Sequence, residues 1–62
     1  MNDDEREQLR RQLNELFAGE RRVDRAIVYS LCMLYDQTDE AIALAETYAR
    51  KRGVEISGET YE

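Results

Sequence analysis

The stretch VDRAIVYSLCMLY, Val23 to Tyr35, carries the reading of this chain. From Ala26 to Tyr35 it has Ser30 as its one plainly polar residue and no charge. The chain as a whole is 37% Asp, Glu, Lys and Arg, so the apolar driving force is concentrated here. Laid on a helix at ~100° per residue, Val23, Ala26, Ile27, Ser30, Leu31 and Leu34 share one face. Val28, Cys32 and Tyr35 extend that face on one side, Tyr29 and Met33 close most of the other, and only Arg25 and Asp36 mark a wet edge. A helix that is apolar nearly all round is buried on several sides. Two short flanking helices can cover two of those sides. The third, around Tyr29 and Met33, is expected to meet another chain.

Upstream, Asn2 followed three residues later by Glu5 reads as a capping box, with Asp3 and Asp4 in the positive first turn. Leu9, Leu13, Leu16 and Phe17 recur at helical spacing, and Glu7 with Arg11, like Arg11 with Glu15, stands four apart on the wet side. Gly19 suits the position after a helix end, so the first helix is expected over about 3–18. Its stripe should lie on Val23, Ile27, Leu31 and Leu34. Arg6 and Glu20 at the neighbouring seam positions stop it from extending as a coiled coil.

The central helix is expected over about 22–36. Asp36, Gln37 and Thr38 form a tight polar connection, so the third helix, about 38–52, should fold back antiparallel, with Thr38 as its N-cap. Its apolar arc is Ala41, Ile42, Leu44, Ala45, Tyr48 and Ala49. Within that arc, Ala41, Ala45 and Ala49 form a row of small residues that lets a neighbour come close. Arg50, Lys51 and Arg52 suit the negative end of that helix, Gly53 stops it, and Val54 can pack back on Ala49 or Tyr48. The expected fold is therefore all-α: three short helices, the last two an antiparallel hairpin, packed as a dimeric helical bundle. One domain covers 1–53, and 54–62, with Ile56 and Tyr61 among polar residues, reads as a flexible tail.

Sixty-two residues leave little margin for a monomer, because burial and ordering terms are of similar size. One cysteine closes no internal disulfide, and a chain without histidine lacks the usual zinc ligand. Oligomerisation is the remaining route to stability. A net charge of −5 argues against nucleic acid and anionic lipid as partners. The acidic start and an apolar run about half the length of a membrane span point to a cytoplasmic protein with no membrane segment.

No catalytic constellation is present: histidine is absent, and the carboxylates sit on wet faces and at helix starts. Cys32 lies between Leu31 and Met33 with no cation near in sequence to activate it, so it reads as a small buried apolar residue. The expected function is a non-enzymatic protein-interaction module, an adaptor, inhibitor or regulatory subunit, that needs no cofactor or metal. It would bind itself as a homodimer and bind a second protein. The candidate interface is Val28, Tyr29, Cys32, Met33, Tyr35 and Tyr48, where tyrosine and methionine supply contact area. The alternative is a helix-turn-helix DNA-binding regulator, against which Asp39 and Glu40 stand at the end that would read bases. A structural assembly subunit is the third possibility.

Overall fold

The computed structural model describes residues 2–58. In chain order these residues form α1 (Asp3–Phe17), β1 (Arg22–Asp24), α2 (Arg25–Cys32), α3 (Thr38–Arg52) and β2 (Glu55–Ser57). The protein is mostly helical, but the all-α expectation is corrected: β1 and β2 pair as a two-stranded parallel sheet. Val23 stands opposite Ile56, Arg22 opposite Glu55 and Asp24 opposite Ser57. The connection between them runs through α2 and α3, long enough for the crossover that parallel strands require.

The central apolar stretch thus divides between two kinds of structure, which revises the 22–36 helix. Asp24 is the reason. Its backbone is extended, and its Oδ1 accepts from the Ala26 N–H at 3.1 Å, so it caps a helix that starts at Arg25. Upstream of the cap, Val23 lies in β1 and is buried. The helix closes after Cys32, where the N–H groups of Leu34 and Tyr35 reach back three residues, to Leu31 and Cys32. Met33 and Leu34 therefore lie in a turn.

α1 begins as expected, with Asn2 Oδ1 accepting from the Glu5 N–H at 2.8 Å. Leu9, Leu13 and Phe17 are buried and Leu16 is half-buried. The helix gives way to a turn in which the Glu20 N–H bonds the Phe17 carbonyl. Ala18 at φ −62°, ψ 122° and Gly19 at φ 72° make it a type II turn, which requires a positive φ at its third residue. The cap of α3 falls one residue earlier than expected. Gln37 is the N-cap without a side-chain bond, and Thr38 belongs to the helix and donates its hydroxyl to the Tyr35 carbonyl. Its other end is a Schellman motif: the Val54 N–H bonds the Ala49 carbonyl at 2.8 Å, the Gly53 N–H bonds that of Arg50, and Gly53 is left-handed at φ 69°.

The largest correction concerns the centre of the molecule. α3 packs against α1, α2 and β2, whereas the backbones of α1 and α2 do not run close together. The alanine row makes this possible, since Ala41, Ala45 and Ala49 are all buried and let neighbouring backbones approach. Contacts from Arg6 to Glu40 and from Arg52 to Asn14 join like ends of α1 and α3, so these two helices run in the same general direction. Val54 is buried and Ile56 partly buried against the same core, which brings the start of the expected tail into the packed unit. Tyr61 and its neighbours from 59 onward lie outside the described residues. The body measures 29 × 28 × 14 Å, a slab whose two broad faces lie near solvent.

Candidate functional site

The uncharged outer surface of α2 and the turn that follows it is the candidate site. Ile27 is 53% exposed, Met33 68% and Leu34 78%, with Leu31 half-buried beside them. Ile27 and Leu31 stand four apart on α2 and share its outer face, and Leu34 follows in the turn beyond. Ser30, the polar residue of this stretch, turns its hydroxyl onto the Ala26 carbonyl at 2.8 Å. That bond removes its donor from solvent and leaves the face less polar than its composition suggests. The reason these side chains stay outside is geometric. α1 was expected to cover Ile27, Leu31 and Leu34, but it packs on α3 instead.

The six residues expected at an interface separate into three groups. Val28 and Cys32 are fully buried and Tyr35 nearly so, all within the chain's own core, and their side chains offer no surface to a partner. Tyr35 reaches Gln12 Oε1 with its hydroxyl at 3.5 Å. Tyr29 and Tyr48 are half-buried at the rim, each beneath an arginine: the Arg25 guanidinium lies 5.8 Å from the Tyr29 ring, and that of Arg52 5.3 Å from the Tyr48 ring. Met33 alone of the six is largely exposed. Ile27 and Leu34 were not among the expected interface residues. The cue for them was the Asp24 cap, which shortens α2 and so limits what α1 can cover.

Burial pushes the Cys32 thiol up from its ordinary pKa, and the nearby Glu46 carboxylate adds to the shift. The sulfur is therefore held as a thiol near neutral pH, the less reactive form. Burial likewise raises the Tyr35 phenol. On the wet side of α1, the hydrogen bond from Arg10 lowers the Glu7 carboxyl, with both Arg10 and Arg11 adding attraction. Among the described residues no three His, Cys, Asp or Glu side chains gather as a metal-ligand set, and no helix is long and apolar enough to cross a membrane.

No protein family, curated protein or solved structure matches this chain. The functional reading rests on the chain's own geometry.

Proposed function

We propose that this chain is a non-enzymatic protein-interaction module that self-associates and holds a second protein through the uncharged outer face of α2. The exposure of Ile27, Met33 and Leu34, three large apolar side chains close in sequence with no charge between them, carries the reading. Single exposed apolar residues are ordinary on a soluble surface, but a cluster of them marks a contact surface. Self-association is supported by the thin slab, whose core is limited to small side chains and a few large ones. A reducing, cytoplasmic setting belongs to the same reading, supported by a lone buried thiol. The helix-turn-helix alternative gains nothing from the geometry, because α3 leads with Asp39 and Glu40, which phosphates repel.

Light scattering behind size exclusion at micromolar concentration tests the proposal. The expected result is a species heavier than the 7.3 kDa monomer, with a melting temperature that rises with protein concentration. Ile27→Lys should shift it toward the monomer while leaving helical content in place. A wild-type monomer whose melting temperature ignores concentration overturns self-association.

A further inference from the structure

β1 has one paired edge and one open edge, and its hydrogen bonding fixes which groups lie on each. The Glu55 N–H donates to the Arg21 carbonyl at 2.9 Å, and Val23 stands opposite Ile56. In a parallel pair, alternate residues of a strand bond the same neighbour, so Arg21 and Val23 face β2. Arg22 and Asp24 therefore turn their backbone groups to the other side. Among the described residues no strand lies there, because β2 is the one strand paired with β1. The Asp24 carbonyl belongs to the N-cap of α2 and is committed to the first helical bond. The Arg22 carbonyl and the Asp24 N–H remain available. The outer edge of β2 differs. Ile56 turns its backbone away from β1, and the Arg25 guanidinium holds its carbonyl at 3.5 Å and that of Gly58 at 3.4 Å.

Side chains alternate along a strand. Val23 points into the core, which puts Arg22 and Asp24 together on the exposed face of the sheet. Neither has an ion-pair partner among the described residues. Charges of one sign along an edge repel a second copy and protect it from pairing. The β1 edge instead carries one charge of each sign, on either side of a central valine. Under a two-fold axis at Val23, Arg22 of each copy meets Asp24 of the other. In-register parallel pairing would set Arg22 against Arg22 and Asp24 against Asp24. Three strand residues alone bury too little for a stable dimer, which needs on the order of 1,000 Å². The edge runs on into the uncharged face of α2: Asp24 Oδ1 accepts from the Ala26 N–H at 3.1 Å, and Ala26 and Ile27 are both exposed.

We propose that β1 pairs antiparallel with β1 of a second copy, building one sheet in the order β2–β1–β1–β2 across a two-fold axis at Val23. The proposal rests on the self-association reading and gives it a register. The Asp24 N–H donates to the Arg22 carbonyl of the second copy, and each arginine faces an aspartate across the axis. The outer face of α2 supplies apolar area, and the strand edge supplies orientation. A two-fold contact uses the same patch on both copies, so assembly ends at a dimer.

Arg22→Glu tests this, with Arg11→Glu on α1 as a control that changes net charge equally. Both side chains are exposed, and matching far-UV circular dichroism confirms the fold. Arg22→Glu enters the dimer twice and should weaken it by about tenfold or more in Kd, and Arg11→Glu by less than about threefold. Asp24→Asn keeps a capping oxygen and removes the charge. In that background Arg22→Glu should cost clearly less than in the wild type, because the charge it faces is gone. Equal losses from Arg11→Glu and Arg22→Glu, or full additivity with Asp24→Asn, overturn the strand pairing. If Ile27→Lys dissociates the protein and Arg22→Glu does not, self-association stands and the β1 register is wrong. Assemblies larger than a dimer also rule it out, and a monomeric wild type removes both readings. Should Arg22→Glu lose structure beside Glu55, Arg22→Gln and Arg11→Gln replace the pair with the same order of effects.

Discussion

α2 and α3 divide the work of the molecule in a way that reverses their apolar content. α2 and its following turn carry large aliphatic side chains, and three of the largest, Ile27, Met33 and Leu34, face water. α3 carries alanines on its inner side, and Ala41, Ala45 and Ala49 are buried. Position within the fold, not side-chain size, decides which helix is central. Small residues allow backbones to come close, so the alanine row can accept α1, α2 and β2 around one helix. Larger side chains on α2 keep neighbours at a distance on every side except the one bearing Val28 and Cys32. The surplus apolar surface is then free for another chain.

Enlarging the alanine row should have the largest effect on the fold. Ala45→Leu inserts a larger side chain at a fully buried position and should destabilise the fold by about 1–3 kcal/mol. Chemical denaturation reads it, and a neutral result would mean that α3 is not the packing centre. Next in size is Cys32→Ala on the buried side of α2. A loss of about 1 kcal/mol is expected from the missing sulfur and the small cavity it leaves. The native thiol should react slowly with a neutral-pH thiol reagent and quickly after unfolding, and fast native labelling would place Cys32 at the surface.

Leu34→Ser probes the exposed side of α2 and its turn. Measured on the monomer at high dilution, its effect on stability should stay within about 0.5 kcal/mol, as for other exposed positions. A larger loss would show that Leu34 belongs to the core of a single copy. The smallest effect is expected at Glu7, whose carboxyl is held below its ordinary pKa by the hydrogen bond from Arg10. A depressed carboxyl contributes stability above its unfolded-state pKa and loses it as pH falls through the folded value. The contribution of Glu7 is thus present at neutral pH and fades in acid, below the ordinary 4.5. Urea midpoints of wild type and Glu7→Gln should differ slightly at neutral pH and converge in acid. A gap that widens in acid would contradict the assignment.

Much of the helical structure was legible locally. The Asn2 cap, the Leu9, Leu13 and Phe17 stripe, the span of α3 and the Gly53 stop each depend on residues within one or two turns, where backbone bonds and side-chain spacing act directly. The alanine row was visible too, though its role as the centre was not. Asp24, placed inside one continuous helix by the apolar pattern of Val23 to Tyr35, instead ends β1 and caps α2.

The candidate site was legible only as a region. Met33 was expected at the surface, while Ile27 and Leu34 were assigned to contact with α1, and Val28, Cys32 and Tyr35 proved to be interior. Which face of α2 is covered depends on where α1 docks, and α1 docks on α3 because the alanines permit the closer approach. The Asn2 cap, the helical periodicity of α1 and α3, the charge balance and the concentration of apolar side chains in one stretch could be read along the chain, because each is a property of near neighbours. The pairing of Val23 with Ile56, the gathering of Arg21 and Arg22 beside the end of α3, and the exposure of Leu34 arise from contacts between segments distant in the chain. Three-residue strands have too little local pattern to declare their partner, and their pairing becomes favourable only once α2 and α3 have brought the two segments together.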